Sequence, residues 1–337
     1  VFLLEYPFLA LLAYLVLRWL IAAIYRNPCP IPTRLAALAT IFAVLLWLFG
    51  QLRWQLLPAC LLAPMLLLLS LSPVDYLRLS PMARWGRMGL SGLAVLLVAC
   101  SAFLAWALPV PTLPAPTGRL AVGTFTLHLK DPSRLEVYTD DPTDTREILL
   151  QIWYPAQPDR DMRPAPWMSD LDIFGPQIAA YLGMPSFLFA HLAKVRSHAY
   201  EHARPAGDHE RFPVLLYSHG WTGFRRVAQN QCEELASQGY VVAAPEHTYG
   251  SMATVFPDGR VALNNPKAMP PAEPKDARQK GIELLVDTYA GDIRLAIDEL
   301  YKLHTGTLKS PLAGRLDLER IGLWGHSTGG GAITEVA

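Results

Sequence analysis

Four long apolar runs fill the first third of the chain, at 6–24, 35–51, 56–71 and 88–108. They are apolar on every side, whereas a helix facing water on one side would carry a polar stripe. A membrane-spanning helix needs about 20 mostly apolar residues, with a range of roughly 17 to 25. The first and fourth runs meet that length and the second and third lie at its lower limit. Pro58 and Pro64 would kink the third, which membrane helices tolerate better than soluble ones do. A cleavable signal peptide explains one such run, not four. Residues 1–108 are therefore expected to form an all-α transmembrane region of about four spans, with the lipid bilayer as a partner.

The arginines set an expected orientation. Arg26 and Arg34 lie in the first loop with Arg18 within snorkelling reach, and Arg78, Arg84 and Arg87 lie in the third, against Arg53 alone in the second. Loops one and three are expected on the cytoplasmic side, which leaves everything after the fourth span extracytoplasmic.

Pro109, Pro111, Pro114 and Pro116 make 109–118 a stiff, extended linker. Beyond it the period changes. Residues 120–130 and 147–154 alternate apolar and polar, as half-buried strands do, with the turn-rich YTDDPTDT between them. They suit the antiparallel edge of a mixed sheet. Short continuous apolar runs at 213–218, 240–244 and 320–324 read as strands buried on both faces. Helical stretches at 225–238, stopped by Gly239, and at 282–303 separate them. Alternation of this kind predicts a parallel sheet with helices on both faces over 119–337. Residues 161–212 fall outside it and read as a cap-like insertion with one apolar helical stretch, 174–193.

Composition narrows the function classes. Formal net charge is +0 and only 17% of residues are charged, so no global field recruits nucleic acid. Cys29, Cys60, Cys100 and Cys232 form no CxxC pair, and no disulfide framework, metal site or cofactor is expected. The chain begins at Val1 and stops at Ala337, ten residues past Ser327, and reads as a C-terminally truncated fragment.

The chemistry concentrates in two glycine turns. Gly325-His326-Ser327-Thr328-Gly329 is a G-x-S-x-G motif between a strand and a helical segment. In an α/β-hydrolase this turn is too tight for side chains beside the serine and pushes its hydroxyl out at the carboxyl edge of the sheet. The following helix start favours negative charge. Ser327 is the expected nucleophile, with Gly325 and Gly329 as the turn glycines. Ser218-His219-Gly220-Trp221-Thr222-Gly223 follows another buried strand. It sits where this fold places the second oxyanion-hole donor. The amides of Thr328 and Trp221 are the expected donors, with Gly220 the near alternative to Trp221. Glu246 and His247 cannot pair with each other, because adjacent side chains diverge, and they read as a pocket rim or turn. His219 and His326 read as packing or hydrogen-bonding residues, and His128, His191, His198, His202, His209 and His304 show no ligand spacing. Asp287, Asp292 and Asp298 read as helix surface. The triad order in this fold is Ser, then Asp or Glu, then His. No histidine follows Ser327, so neither triad base nor acid is expected within the chain.

Several blocks carry a family resemblance: 140–142, 151–155 (QIWYP), 211–226 (RFPVLLYSHGWTGFRR), 232–247 (CEELASQGYVVAAPEH), 292–300 and 316–331 (LDLERIGLWGHSTGGG). Together they resemble the plasma-type and bacterial (isoform II-like) branch of the platelet-activating-factor acetylhydrolase family of α/β-hydrolases. The resemblance implies a calcium-independent serine esterase that cleaves short or oxidised acyl chains from lipid-like esters. It places the family's nucleophile on Ser327 and its oxyanion donors on Trp221 and Thr328. Its acid and histidine find no counterpart here, and the apolar N-terminal region is not part of its catalytic domain.

Three readings stay open on the sequence: a membrane-anchored esterase for short-acyl or lipid-like esters, another hydrolase on the same scaffold such as a polyester or dienelactone hydrolase, and a non-catalytic membrane-tethered binding domain. Fold alone does not choose among them.

Overall fold

The computed structural model describes residues 4–25, 31–72, 81–207 and 211–337. Arg26, Cys29, Arg78 and His209, and the side chain of Arg84, lie outside that description. The chain divides into two compact units, Val1–Val110 and Pro111–Ala337.

The first unit consists of helices α1 (Glu5–Ile24), α2 (Thr33–Leu48), α3 (Leu57–Leu71) and α4 (Pro81–Ala107), with one 3₁₀ turn, Trp54–Leu56, before α3. Phe8, Leu12, Leu15, Trp19, Leu46 and Leu66 fill its interior. Its outside is apolar too: Leu61 is 72% exposed, Leu68 70% and Trp106 78%. Three of the helical stretches, Glu5–Ile24, Trp54–Leu71 and Trp85–Ala107, are long and apolar enough to cross a membrane by length and composition. The second expected span is shorter than the sequence pattern suggested. Its helix stops at Leu48, because Phe49 and Gly50 turn the chain. At about 1.5 Å per residue it rises about 24 Å, below a hydrocarbon core of about 30 Å. The fourth helix begins at Pro81 rather than at 88, so Arg84 and Arg87 belong to its first turns and not to a loop. An ion pair lies inside this unit. Arg53 donates from Nε and Nη2 to the two oxygens of Glu5 at 2.8 and 2.6 Å, and from Nη1 to the Leu108 carbonyl at 3.1 Å. The arginine of the second loop is thus paired and buried.

In the second unit the elements are β1 (Ala121–Leu135), β2 (Thr145–Gln157), α5 (Leu171–Leu182), β3 (Ala199–Glu201), β4 (Arg204–Pro205), β5 (Phe212–Ser218), α6 (Gln229–Ser237), β6 (Val241–Glu246), β7 (Ala253–Val255), β8 (Val261–Leu263), α7 (Lys275–Thr305), β9 (Leu316–Gly325) and α8 (Thr328–Thr334). The main sheet runs β3-β1-β2-β6-β5-β9, with β4 on β2, and β7 pairs with β8 apart from it. β1 and β2 form the antiparallel side that their alternation predicts, while β5 pairs parallel with both β6 and β9. On β5 and β6, Val214, Leu216, Val241, Val242, Ala243 and Ala244 are at 0% exposure, whereas β9, expected to be buried on both faces over 320–324, has Arg320 exposed and Ile321 to Trp324 only half-buried. Tyr289, Ile293, Ala296 and Leu300 of α7 pack on one face, and Cys232 and Ala236 of α6 belong to the other core.

Two departures from the sequence expectation shape the surroundings of the glycine turns. The insertion 161–212 is partly woven into the sheet, since β3 pairs with β1 and β4 with β2. Its apolar stretch is two pieces: α5 ends at Gly183, whose φ of 65° is left-handed, and a 3₁₀ turn covers Ser186–Lys194. Secondly, the β5–β9 ladder jumps. Asp317 faces Pro213 and Ile321 faces Val214, so Leu318, Glu319 and Arg320 have no counterpart on β5.

Candidate active site

The Ser327 turn is built by closeness. β9 ends at Gly325 and α8 starts at Thr328, leaving His326 and Ser327 to reverse the chain. Ser327 has φ 54° and ψ −122°, a combination that L-residues adopt only when their surroundings impose it. Those surroundings are specific. His326 N–H donates to the Ser218 carbonyl at 3.0 Å, Gly329 N–H to the His326 carbonyl at 3.0 Å, and Gly331 N–H to the Ser327 carbonyl at 3.1 Å. A Cβ on Gly325 would stand 2.6 Å from Ile333 Cδ1, and one on Gly329 would overlap the Ser218 carbonyl. The two motif glycines are there because backbone packs on backbone. Ser327 itself is exposed.

The Gly220 turn lies against it. A Cβ on Gly220 would be 3.1 Å from Ser327 Cβ and 3.2 Å from the His326 carbonyl oxygen. The turn is pinned by Gly223 N–H to the Gly220 carbonyl at 2.9 Å and by Thr222 N–H to the Gly250 carbonyl at 2.8 Å, with Thr222 at φ 58°. Among the described residues, no acceptor binds the amide of Trp221 or of Thr328. The structure therefore brings the Ser327–Thr328 turn against the Gly220–Trp221 turn, two pairs more than a hundred positions apart in sequence.

Behind these turns lies a polar cluster whose roles the sequence pattern does not announce. His247 is not a rim residue: it is at 0% exposure, stacked on Tyr289 with ring centres 3.7 Å apart. Its Nδ1 is 3.0 Å from Asp292 Oδ2 and its Nε2 2.9 Å from Ser218 Oγ. Asp292 is not helix surface either. It is fully buried and accepts from Arg146 Nε and Nη2 at 3.0 and 2.6 Å and from Arg134 Nη2 at 2.9 Å. Arg146 continues to Glu136 at 2.7 Å. Glu246 points elsewhere, to Arg225, as adjacent side chains must.

Electrostatics fix the protonation pattern. Burial opposes a charged imidazole, and although the Asp292 carboxylate works the other way, the His247 pKa is pushed down to about 3. His219 is lowered as well, again by burial first. Burial works against the Asp292 carboxylate, but the Arg146 guanidinium and its hydrogen bonds outweigh it and hold the carboxyl below its usual range. A carboxylate only accepts, so Nδ1 of His247 carries the proton and Nε2 accepts from the Ser218 hydroxyl. In His219, Nδ1 donates to the Gly220 carbonyl at 2.8 Å and Nε2 accepts from His247 N–H at 3.2 Å.

One signal for Asp292 is present in the sequence. It sits three after Tyr289 and four before Ala296, on the apolar stripe of α7. A lone carboxylate in such a stripe needs a buried partner.

Comparison with known proteins follows the same boundaries. The family described as platelet-activating factor acetylhydrolase, isoform II, matches residues 108–336. A platelet-activating factor acetylhydrolase of Cavia porcellus is 27% identical over 242 residues, covering 66% of this chain and 52% of the relative. One from Gallus gallus is 26% identical over 222 residues, covering 55% and 50%. The chain spans about half the length of these curated relatives. Among solved structures, a ferulic acid esterase from Streptomyces cinnamoneus superposes with a TM-score of 0.52 at 32% identity, covering 67% of this chain and 58% of that one. With the mixed sheet and its flanking helices, this makes the second unit an α/β-hydrolase fold.

Proposed function

We propose, for a chain that belongs to the platelet-activating factor acetylhydrolase isoform II family, that it carries the nucleophile-bearing part of a serine esterase acting on short-acyl or lipid-like carboxylic esters. The observation that supports this most is the strained, exposed Ser327 set against the Gly220–Trp221 turn. In this reading Ser327 Oγ attacks the acyl carbon while a base takes its proton. The oxygen that becomes negative lies between the amides of Trp221 and Thr328, and donors so placed lower the barrier most where charge develops. The alcohol leaves with the proton, and water repeats the sequence on the acyl-serine. By the chain order of this fold, the base is a histidine downstream of the nucleophile.

The test is a fluorophosphonate probe on the full-length protein, with the adduct mapped by mass spectrometry. An adduct on Ser327 together with hydrolysis of a short-acyl ester fits the reading; an adduct on another serine with Ser327 untouched defeats it. A second reading, favoured by the ferulic acid esterase at 32% identity, gives the pocket an aromatic acyl group. A feruloyl ester turned over faster than an acetyl ester of the same alcohol would select it.

The apolar outer surface of the first unit supports membrane anchoring, with the hydrolase unit outside the cytoplasm. The pairing of Arg53 with Glu5 sharpens the arginine imbalance behind that orientation. A reporter active only outside the cytoplasm, fused after Pro116, should be active; a silent reporter with cytoplasmic labelling of the hydrolase unit would reverse the orientation.

A further inference from the structure

Ser218, His247 and Asp292 have the composition and order of contacts of a hydrolytic triad, yet all three are at 0% exposure. No substrate reaches them. Their neighbours indicate what they do instead. Ser218 is the residue through which the two turns of the candidate site meet. Its carbonyl accepts from His326 N–H at 3.0 Å, one residue before Ser327, and its own chain runs on into Gly220 and Trp221. Its hydroxyl is tied to His247 Nε2 at 2.9 Å.

His247 reaches the same pair of turns by a second arm. Its backbone N–H donates to His219 Nε2 at 3.2 Å, and His219 Nδ1 holds the Gly220 carbonyl at 2.8 Å. One arm ends at the peptide that carries the nucleophile turn. The other ends at the peptide bond between Gly220 and Trp221, whose N–H is the Trp221 oxyanion donor.

His247 cannot drift, because Tyr289 stacks on its ring and Asp292 holds its Nδ1. Asp292 cannot drift either. It accepts four hydrogen bonds, from Arg146 twice, Arg134 and His247, which fills the roughly four acceptor sites a carboxylate offers. With no acceptor site left and no solvent, the array is a fixed strut rather than a proton relay.

We propose that Asp292, His247 and Ser218 form a positioning relay that sets the spacing between the Trp221 amide and Ser327, with His247 as its branch point. The proposal rests on the reading of Ser327 as nucleophile and of Trp221 as oxyanion donor. None of the three residues touches substrate; they act through the peptides they hold. Misplacing a reacting group by about 1 Å costs up to about 100-fold in rate, which bounds the expected effects.

The test uses the full-length protein and three variants. Ser218→Ala removes the hydroxyl and keeps the carbonyl. His247→Asn keeps a donor toward Asp292 and loses the acceptor for Ser218. His247→Gln keeps an acceptor near the Nε2 position. Loss of the Ser218–His247 bond should lower kcat by about 10- to 100-fold in Ser218→Ala and His247→Asn, with KM nearly unchanged, and His247→Gln should recover part of it. Affinity for a trifluoromethyl ketone, which forms a tetrahedral oxyanion on the serine, should fall in step with kcat/KM. Affinity for a ground-state product acid should not.

A merely structural role predicts instead that activity follows the folded fraction, with ketone and product affinity lost together; that result overturns the relay. Unchanged kcat and ketone affinity in folded Ser218→Ala, with wild type labelled at Ser327, overturns the relay alone. A fluorophosphonate adduct that survives Ser327→Ala overturns the nucleophile assignment and the relay with it. Should His247→Asn fail to fold, Ser218→Ala decides the matter by the same readouts.

Discussion

Ser218 and Ser327 sit at the ends of neighbouring parallel strands, and Ser218 is in register with Gly325, two residues before the other serine. They divide the attributes of a catalytic serine between them. Ser218 has the imidazole at 2.9 Å and the carboxylate behind it, in relaxed backbone and without solvent. Ser327 has none of that company among the described residues, but it has exposure, a left-handed φ of 54° and two amides beside it whose N–H groups are unbound. A search for Ser–His–Asp geometry alone would choose the buried one. On the proposed reading, what separates a reactive serine from a structural one is access and backbone donors beside it, and those are properties of the turn.

The comparison can be broken most sharply at the serines themselves. Ser327→Ala should end fluorophosphonate labelling and lower kcat by roughly 10⁴-fold or more, while Ser218→Ala should still be labelled at Ser327. Retention of most activity in the first variant, or a label on Ser218, would exchange their roles.

Next in size is the carboxylate behind the buried serine. Asp292→Ala takes two charge-assisted hydrogen bonds from the buried Arg146 guanidinium, leaving it Glu136 as its one carboxylate partner, and should lower unfolding free energy by about 3 kcal/mol. Adding Arg146→Met should cost less than the sum of the two single losses, a double-variant cycle read by denaturant unfolding in detergent. Additive losses would mean that the two side chains do not act as a pair.

A smaller effect separates the two regions by pH. His247 stays neutral in the fold down to about 3, whereas an unfolded imidazole takes a proton near 6.5. The unfolded state binds the extra proton, so stability is fully present above about pH 6.5 and falls as pH drops toward 3. Between pH 7 and pH 5 the His247 share of the loss is about 2 kcal/mol, at about 1.4 kcal/mol per pH unit once below 6.5. His247→Gln should flatten the slope by about that amount. An identical slope in both proteins would place the proton uptake elsewhere.

The least costly change lies on the surface. Tyr181 and Leu182 at the end of α5, Met184 after it and Phe187 on the 3₁₀ turn are exposed. Phe187→Ser should shift stability by no more than about 0.5 kcal/mol and raise KM for lipid-like esters more than for a small soluble ester. Equal losses on both substrates with a lower melting temperature would remove this segment from substrate contact.

Much of the second unit can be read from local pattern. Alternation marks β1 and β2, continuous apolar runs mark β5 and β6, and the two glycine turns announce themselves by the strands that precede them. All of these signals are short-range. The buried relay is legible only in part, because its partners are far apart: Arg146 meets Asp292 across 146 positions and His247 meets it across 45. The apolar stripe around Asp292 signals a buried partner, but nothing near it in sequence says that the partner is Arg146. His247 reads as a rim residue because strand ends usually open to solvent, and here Tyr289 stacks on its ring and the turn at Gly250 closes on Tyr289. Gly250 is what allows that closure, since a Cβ there would stand 2.5 Å from the Tyr289 hydroxyl. In the first unit the weak point is length. Phe49 and Gln51 are compatible with a continuing helix, yet the chain turns at Gly50 with φ 63°.

The jump in the β5–β9 ladder has a consequence for how this chain can change over generations. Leu318, Glu319 and Arg320 lie on β9 without counterparts on β5, upstream of the stretch from Ile321 to Gly325 that is locked in register. Side chains alternate faces along a strand, so a one-residue slip in the locked stretch would invert every face and carry the serine turn off its seat. An extra or missing residue within 318–320 would instead be taken up as slack before the lock begins. Length variation between relatives is therefore expected to collect in that unpaired segment and to be absent from the five residues after it.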